Sequence, residues 1–192
     1  MQNAIEQAAN YLQNKSAKPP ESKAVVEALI AAEKAAKKTK IDYSFSQLTG
    51  NWSLGFITGT KKTRKRAGVV LGAGRFLSKL VKIQLSYSKS EDSPEKGNVD
   101  NSVQFGLLKI VLTGPVQFWS KKNIIAFDFT RMQLSLSGLN LYKGYIRNGK
   151  DREESFDKQT LKEQAFFTYF LVEDNYIAAR GKGGGLALWT KN

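Results

Sequence analysis

At Gly50 the apolar residues of this chain change their period, and that change constrains the fold more than any other feature. Upstream they recur at helical spacing: Ile5, Ala8, Ala9 and Leu12 within 2–14, then Val25, Val26, Leu29 and Ile30 between Ser22 and about Lys38, extended by Ala32, Ala35 and Ala36. The prolines at 19 and 20 separate the two helices, because neither continues one. Ser22 reads as an N-cap, and Lys34, Lys37 and Lys38 complement the negative end of the helix dipole. From Gly50 the pattern alternates. Trp52, Leu54 and Phe56 share one face of a strand, and Ser53 and Gly55 share the other. Gly50 lets the chain turn tightly into that strand.

More strands follow at short intervals. Val81, Ile83, Leu85 and Tyr87 alternate with Lys82, Gln84, Ser86 and Ser88, the cleanest half-buried strand in the chain. Glu91 to Gly97 is a turn, and Val103 to Phe105 and Leu107 to Thr113 are strands; Gly114-Pro115 ends the second, and Val116 to Trp119 is a weaker one. Ile125, Phe127 and Phe129 alternate with Ile124, Ala126 and Asp128, followed by Leu134 and Leu136 against Gln133 and Ser135. Phe166 to Val172 and Tyr176 to Arg180 form a hairpin around Glu173-Asp174-Asn175, and Leu186 to Thr190 closes the series. The fold class is mainly β with helices, an antiparallel up-and-down barrel, with a two-sheet sandwich as the runner-up. Residues 1–40 are a helical segment packed on the barrel, and residues 41–192 are the barrel itself.

In such a barrel the first and last strands are neighbours. Arg180, on the same face as Tyr176, is therefore expected over the Trp52 ring as a cation–π cover. Large inward candidates are Phe56, Tyr87, Phe105, Phe127, Phe129 and Phe170, with Tyr142 from the Gly138 to Gln164 connection, which is read as a lid also carrying Leu139, Leu141 and Tyr145. These seven residues are the predicted lining of an apolar ligand site.

Lys and Arg number 30 against 17 Asp and Glu, a net charge of +13, so the partner is anionic. Lys61, Lys62, Arg64, Lys65 and Arg66 form the densest basic cluster, beside the apolar Val69, Val70, Leu71, Phe76 and Leu77. That mixture fits an anionic lipid surface. Nucleic acid is disfavoured, because no aromatic residue is interleaved between Lys61 and Arg66. With no histidine and no cysteine, histidine-based triads, thiolate zinc sites and disulfides are excluded. Gly72-Ala73-Gly74 lacks the lysine-serine pair and the strand–helix context of a phosphate loop. Glu153, Glu154 and Asp157 read as a solvated charge run, and Asp128 and Asp174 as structural hydrogen-bonding groups. No metal or cofactor is expected. The N-terminus lacks the pattern of a signal peptide, and no apolar run reaches the ~20 residues of a transmembrane helix.

Two segments carry a family resemblance. They are Leu48-Thr49-Gly50-Asn51-Trp52 and the closing Phe170-Leu171-Val172-Glu173-Asp174-Asn175-Tyr176-Ile177-Ala178-Ala179-Arg180-Gly181. Over about 22–191 the chain resembles the plastid-lipid-associated proteins, or fibrillins, lipocalin-like proteins of plastids and cyanobacteria. Gly50, Trp52, Asp174, Arg180 and Gly181 carry the likeness and are read as structural. The family often has a second basic residue where this chain has Ile177. The resemblance implies a non-catalytic lipocalin-like barrel that binds carotenoid, quinone or prenyl-type lipids; the chain is expected to be a monomer. Its expected place is the cytoplasmic side of a thylakoid membrane or a lipid globule, in a cyanobacterium since no transit-like extension precedes the helices, or in a plastid. The rival classes are a nucleic-acid- or protein-docking module with a filled interior, and a lipocalin-like bilin lyase.

Overall fold

The computed structural model of the chain describes residues 3–14, 18–59 and 74–192. Three helices come first: α1 (Ala4–Gln13), α2 (Ser22–Thr39) and the single turn α3 (Phe45–Leu48). The strands are β1 (Gly50–Thr58), β2 (Gly74–Phe76), β3 (Val81–Lys89), β4 (Lys96–Phe105), β5 (Leu108–Trp119), β6 (Ile124–Phe127), β7 (Arg131–Leu136), β8 (Leu139–Tyr145), β9 (Ala165–Val172), β10 (Tyr176–Gly181) and β11 (Leu186–Lys191). A short helix α4 (Gly149–Glu154) lies between β8 and β9.

The pairing order β4-β3-β1-β11-β10-β9-β6-β5 returns to β4, so eight antiparallel strands close into a barrel. The first and last strands are neighbours as expected, with Trp52 opposite Lys191 and Leu54 opposite Trp189. Gly50 enters β1 at φ +115°, a region that favours glycine. β7 and β8 are extra: β7 pairs β5, and β8 pairs β7.

Two apolar layers result. Inside the barrel, Trp52, Leu85, Tyr87, Val99, Val116, Phe118, Ile125, Tyr169, Ile177 and Trp189 form one core, plugged by Phe45 and Leu48 of α3. Outside, α1 and α2 lay Ile5, Ala8, Val25, Val26 and Leu29 on Phe56, Phe170, Ala178, Leu186 and Leu188. Strands β9 to β11 are therefore apolar on both faces, like strands buried on both sides. Asn3, whose Oδ1 accepts from the Ile5 N–H at 3.3 Å, caps α1. Ser22 is the first residue of α2 and not its cap; Glu21 holds that position.

Gly114-Pro115 does not end a strand, contrary to the sequence expectation. β5 runs through it and changes partner there: Leu108 to Thr113 pair with β7, and Val116 to Trp119 pair with β6. The Pro115 carbonyl accepts from the Asp128 N–H at 3.2 Å, so the side on which proline lacks a donor faces the gap between β6 and β7. The crossing chain passes directly over Gly114, where a Cβ would lie 1.9 Å from the Asp128 carbonyl oxygen. At this fork β6 turns back to close the barrel, and β7 leads away from it.

α4 braces the fork. Arg152 donates from Nε to Asp128 at 2.9 Å and pairs with the same carboxylate through Nη2. Glu153 accepts from Arg131 at 3.1 and 2.9 Å and from the Thr130 hydroxyl at 2.8 Å. Of the carboxylates read as a solvated charge run or as structural groups, Asp128 and Glu153 thus brace the fork, and Asp157 makes an exposed pair with Lys96 at 2.6 Å.

Candidate functional site

Beyond the fork, β3, β4, β5, β7 and β8 continue as a flared sheet, which we call the arm. Register fixes its faces, because residues directly opposite one another in antiparallel strands point to the same side. Val81 pairs with Phe105, Phe105 with Leu108, Leu108 with Leu136 and Leu136 with Leu139, making one apolar row across five strands. The next row of the same face is Ile83, Val103, Ile110, Leu134 and Tyr142. A third holds Leu85, Asn101, Leu112, Met132 and Gly144. Leu85 belongs to the barrel core, so the face is the barrel interior carried outward past its rim. The opposite face carries Lys82, Gln84, Ser102, Gln104, Lys109, Gln133 and Lys143.

The two ends of the interior differ. At the plugged end, Phe45 stacks on Phe118 with ring centroids 5.8 Å apart and meets Tyr87 edge-on at 6.2 Å. The Tyr87 and Tyr169 hydroxyls share a hydrogen bond of 2.9 Å, and burial pushes both hydroxyls' pKa values up, so they stay neutral. The Trp52 indole N–H donates to the Leu48 carbonyl at 2.9 Å. A chain of rings from Phe129 and Phe127 through Phe167 to Trp189, each 5.2 to 5.3 Å from the next, fills the middle. On the arm, Ile83, Val103, Ile110, Leu112, Met132 and Leu134 are only half-buried, and Phe105 and Tyr142 are exposed.

The predicted lining is divided accordingly. Tyr87, Phe127 and Phe129 face the interior, but Tyr87 is locked in the plugged end and Phe127 is nearly buried. Phe105 and Tyr142 lie on the arm. Phe56 and Phe170 are corrections: both point outward beneath the helices. β1 bulges between Leu54 and Phe56, and β9 bulges opposite Ala178 and Ala179, so each strand changes parity at a point that plain alternation does not show. The Gly138 to Gln164 connection is a further correction. It is β8, α4 and a short 3-10 turn at the edge of the sheet, and Leu139, Leu141, Tyr142 and Tyr145 belong to β8.

Arg180 does not cover Trp52. It is on the outer face of β10, as its shared parity with Tyr176 requires, and Trp52 points inward. Its guanidinium donates from Nε to Glu33 of α2 at 2.8 Å, from Nη2 at 2.5 Å, and to the Gly184 carbonyl at 2.6 Å. The Arg180 hydrogen bond, helped by Lys37 and opposed by burial, holds the Glu33 carboxyl below its ordinary pKa. Lys191, 5.7 Å from the ring centroid, takes the cation–π place over Trp52. Asp174 is exposed in the β9–β10 turn, and Gly181 ends β10. Lys61, Lys62, Arg64, Lys65 and Arg66 lie outside the described residues.

Sequence reasoning missed Glu33. Its signal was present, since an acid at helical spacing from Val26 and Leu29 on an apolar stripe requires a cationic partner. It also missed the side cleft of about 310 Å³ among α1, β1 and β3, lined in part by Leu54, Leu77 and Val81, which opens where β1 exchanges β3 for β2.

No protein-family model matches the chain, and no curated protein matches its sequence. Among solved structures it is similar to the redesigned β-barrel mFAP1 bound to DFHBI, at 8% identity over 78% of this chain and 98% of that one, with a TM-score of 0.34. It is also similar to EF1p2_mFAP2b bound to DFHBI, at 9% identity over 78% and 97%, with a TM-score of 0.35. Likeness at this level carries no argument about function.

Proposed function

We propose that this protein is a non-catalytic, lipocalin-like carrier of apolar lipids, of the kind the plastid-lipid-associated resemblance implies, working at an anionic membrane or lipid globule. The observation that supports it is the inner face of the arm. Two adjacent rows of apolar side chains, and a third in which Leu85, Leu112 and Met132 flank Asn101, continue from the barrel core into solvent, and among the described residues no element covers them. An uncovered apolar surface of that extent marks a ligand or interaction site. The face carries no charged side chain in those rows, so it suits a prenyl, carotenoid or acyl chain better than a charged metabolite.

The filled end gives the site its floor. A chain laid along Ile83, Val103, Ile110 and Leu134 would reach inward as far as Leu112 and Leu85, where the ring cluster stops it. Binding there needs no general base, metal or nucleophile. The carboxylates of Glu33, Asp128 and Glu153 are engaged in ion pairs with Arg180, Arg152 and Arg131.

The test is displacement of a fluorescent polyene fatty acid by isoprenoids. Ile110→Asp places a charge in the middle of the half-buried row. It should weaken probe binding by at least about tenfold, the equivalent of ~1.4 kcal/mol, without unfolding the barrel. Probe binding unchanged by a folded Ile110→Asp protein would remove the reading. Tighter binding to RNA than to any lipid would replace it with the docking-module reading.

A further inference from the structure

The end of the arm has a composition that the ligand reading does not use. Two hairpin turns lie side by side there. Gly106-Leu107 joins β4 to β5, Ser137-Gly138 joins β7 to β8, and the Ser137 N–H donates to the Leu107 carbonyl at 3.0 Å. Leu80, at the start of β3, belongs to the same end, since Val81 pairs with Phe105. The side chains presented there are unusually apolar for loop ends: Leu80 is 72% exposed, Phe105 59%, Leu107 70% and Leu139 71%. Turns normally carry polar residues, so exposed leucines at two linked tips call for an occupant.

Charge identifies the occupant. No Asp or Glu occurs in residues 74–90, 101–127 or 129–150, which together form nearly all of the arm. Lys79, Lys82, Lys109 and Lys143 are exposed there, the first three within one residue of a tip-row side chain or of Leu80. Apolar tips surrounded by lysines with no carboxylate among them complement a bilayer with anionic headgroups: leucines reach the acyl boundary and ammonium groups remain among the phosphates. No helix among the described residues is long and apolar enough to cross a membrane.

We propose that the paired tips of the β4–β5 and β7–β8 hairpins, with Leu80, insert into the interface of an anionic lipid bilayer. The inner face of the arm then meets the membrane end-on, and an apolar chain passes from the bilayer along Phe105, Leu108 and Leu136 to the barrel rim without crossing water. The inference rests on the lipid-binding reading for its purpose and not for its test.

The experiment uses the full chain with phosphatidylcholine vesicles, with and without phosphatidylglycerol. A Leu107→Trp variant should be quenched by lipids brominated on their acyl chains. The native Trp119, at the far end of β5, should not be. A Leu80→Glu/Leu107→Glu variant, altered only at exposed positions outside the three rows, should keep its melting temperature and its fatty-acid probe binding. It should bind anionic vesicles at least about tenfold more weakly. Neutralising Lys79, Lys82 and Lys109 should weaken anionic-vesicle binding by about fivefold per charge. An unquenched Leu107→Trp protein, or double-glutamate protein that binds vesicles like the parent, overturns the proposal. So does a change from dimer to monomer on making the double variant, which would assign the tips to contact between copies. If instead the probe never binds while tip insertion persists, the carrier reading fails and this one stands.

Discussion

Strands β3, β4 and β5 each live in two environments. At one end Tyr87, Val99 and Phe118 are sealed by α3 and by rings from across the barrel. At the other end the same strands present Ile83, Val103 and Ile110, half-buried, and then Phe105 and Leu108, exposed. The local chemistry is the same throughout, with aliphatic and aromatic residues alternating with polar ones. The difference lies in what stands opposite. Where β6 closes against β9 the interior has a far wall, and where β7 flares away it has none. One partner change at Gly114-Pro115 therefore converts core into binding surface.

This contrast sets the size of mutational effects. Trp52→Ala empties a fully buried site at the plugged end and should cost ~3–5 kcal/mol in urea unfolding. Phe105→Ala on the arm should change stability by less than ~0.5 kcal/mol while impairing lipid binding. Comparable losses at both positions would mean the arm is as tightly packed as the barrel.

The helix layer should show an intermediate effect. Glu33→Gln removes the carboxylate that Arg180 grips. Because Arg180 is about one-third exposed, the loss should be ~1–2 kcal/mol near neutral pH, smaller than for a fully buried pair. Its pH dependence follows from the lowered carboxyl pKa. Near the ordinary value of 4.5 the folded state binds fewer protons at Glu33 than the unfolded chain does. The stabilisation is complete above that value and is lost as the pH falls through the lower folded one. Parent and variant melts should therefore converge in acid; a constant gap across that range would argue against the pair.

The smallest effect is expected at the brace. Arg152→Ala should cost ~1 kcal/mol or less, since the pair with Asp128 is partly exposed. It should nonetheless speed amide exchange in β7 and β8 and leave β9 to β11 unchanged. Uniform acceleration would show that the arm and barrel unfold together.

Much of the architecture was legible in the residues: the helix-to-strand change at Gly50, β3, the β9–β10 hairpin and the adjacency of the first and last strands. Inward and outward assignment failed at bulges. Gly55 was the available warning, because a glycine inside an alternating run often marks a bulge; a Cβ there would lie 2.2 Å from Leu12. Nothing comparable flagged Phe170, where β9 bulges without a glycine. The arm was half legible: Leu134 and Leu136 were placed on one strand face, but the flare depends on which strands β5 pairs with, and pairing is a long-range property. Leu139 and Leu141 looked like a lid because their strand partner could not be read locally.

The most direct test of the division between filled barrel and open arm is photocrosslinking with a diazirine-bearing fatty acid, mapped by mass spectrometry. Labels should fall on Val103, Ile110 and Leu134, and Ile110→Asp should abolish them. Labels on Leu54 and Leu77 in the side cleft, or among the plugged residues around Phe118, would contradict the assignment of the arm as the lipid-binding surface.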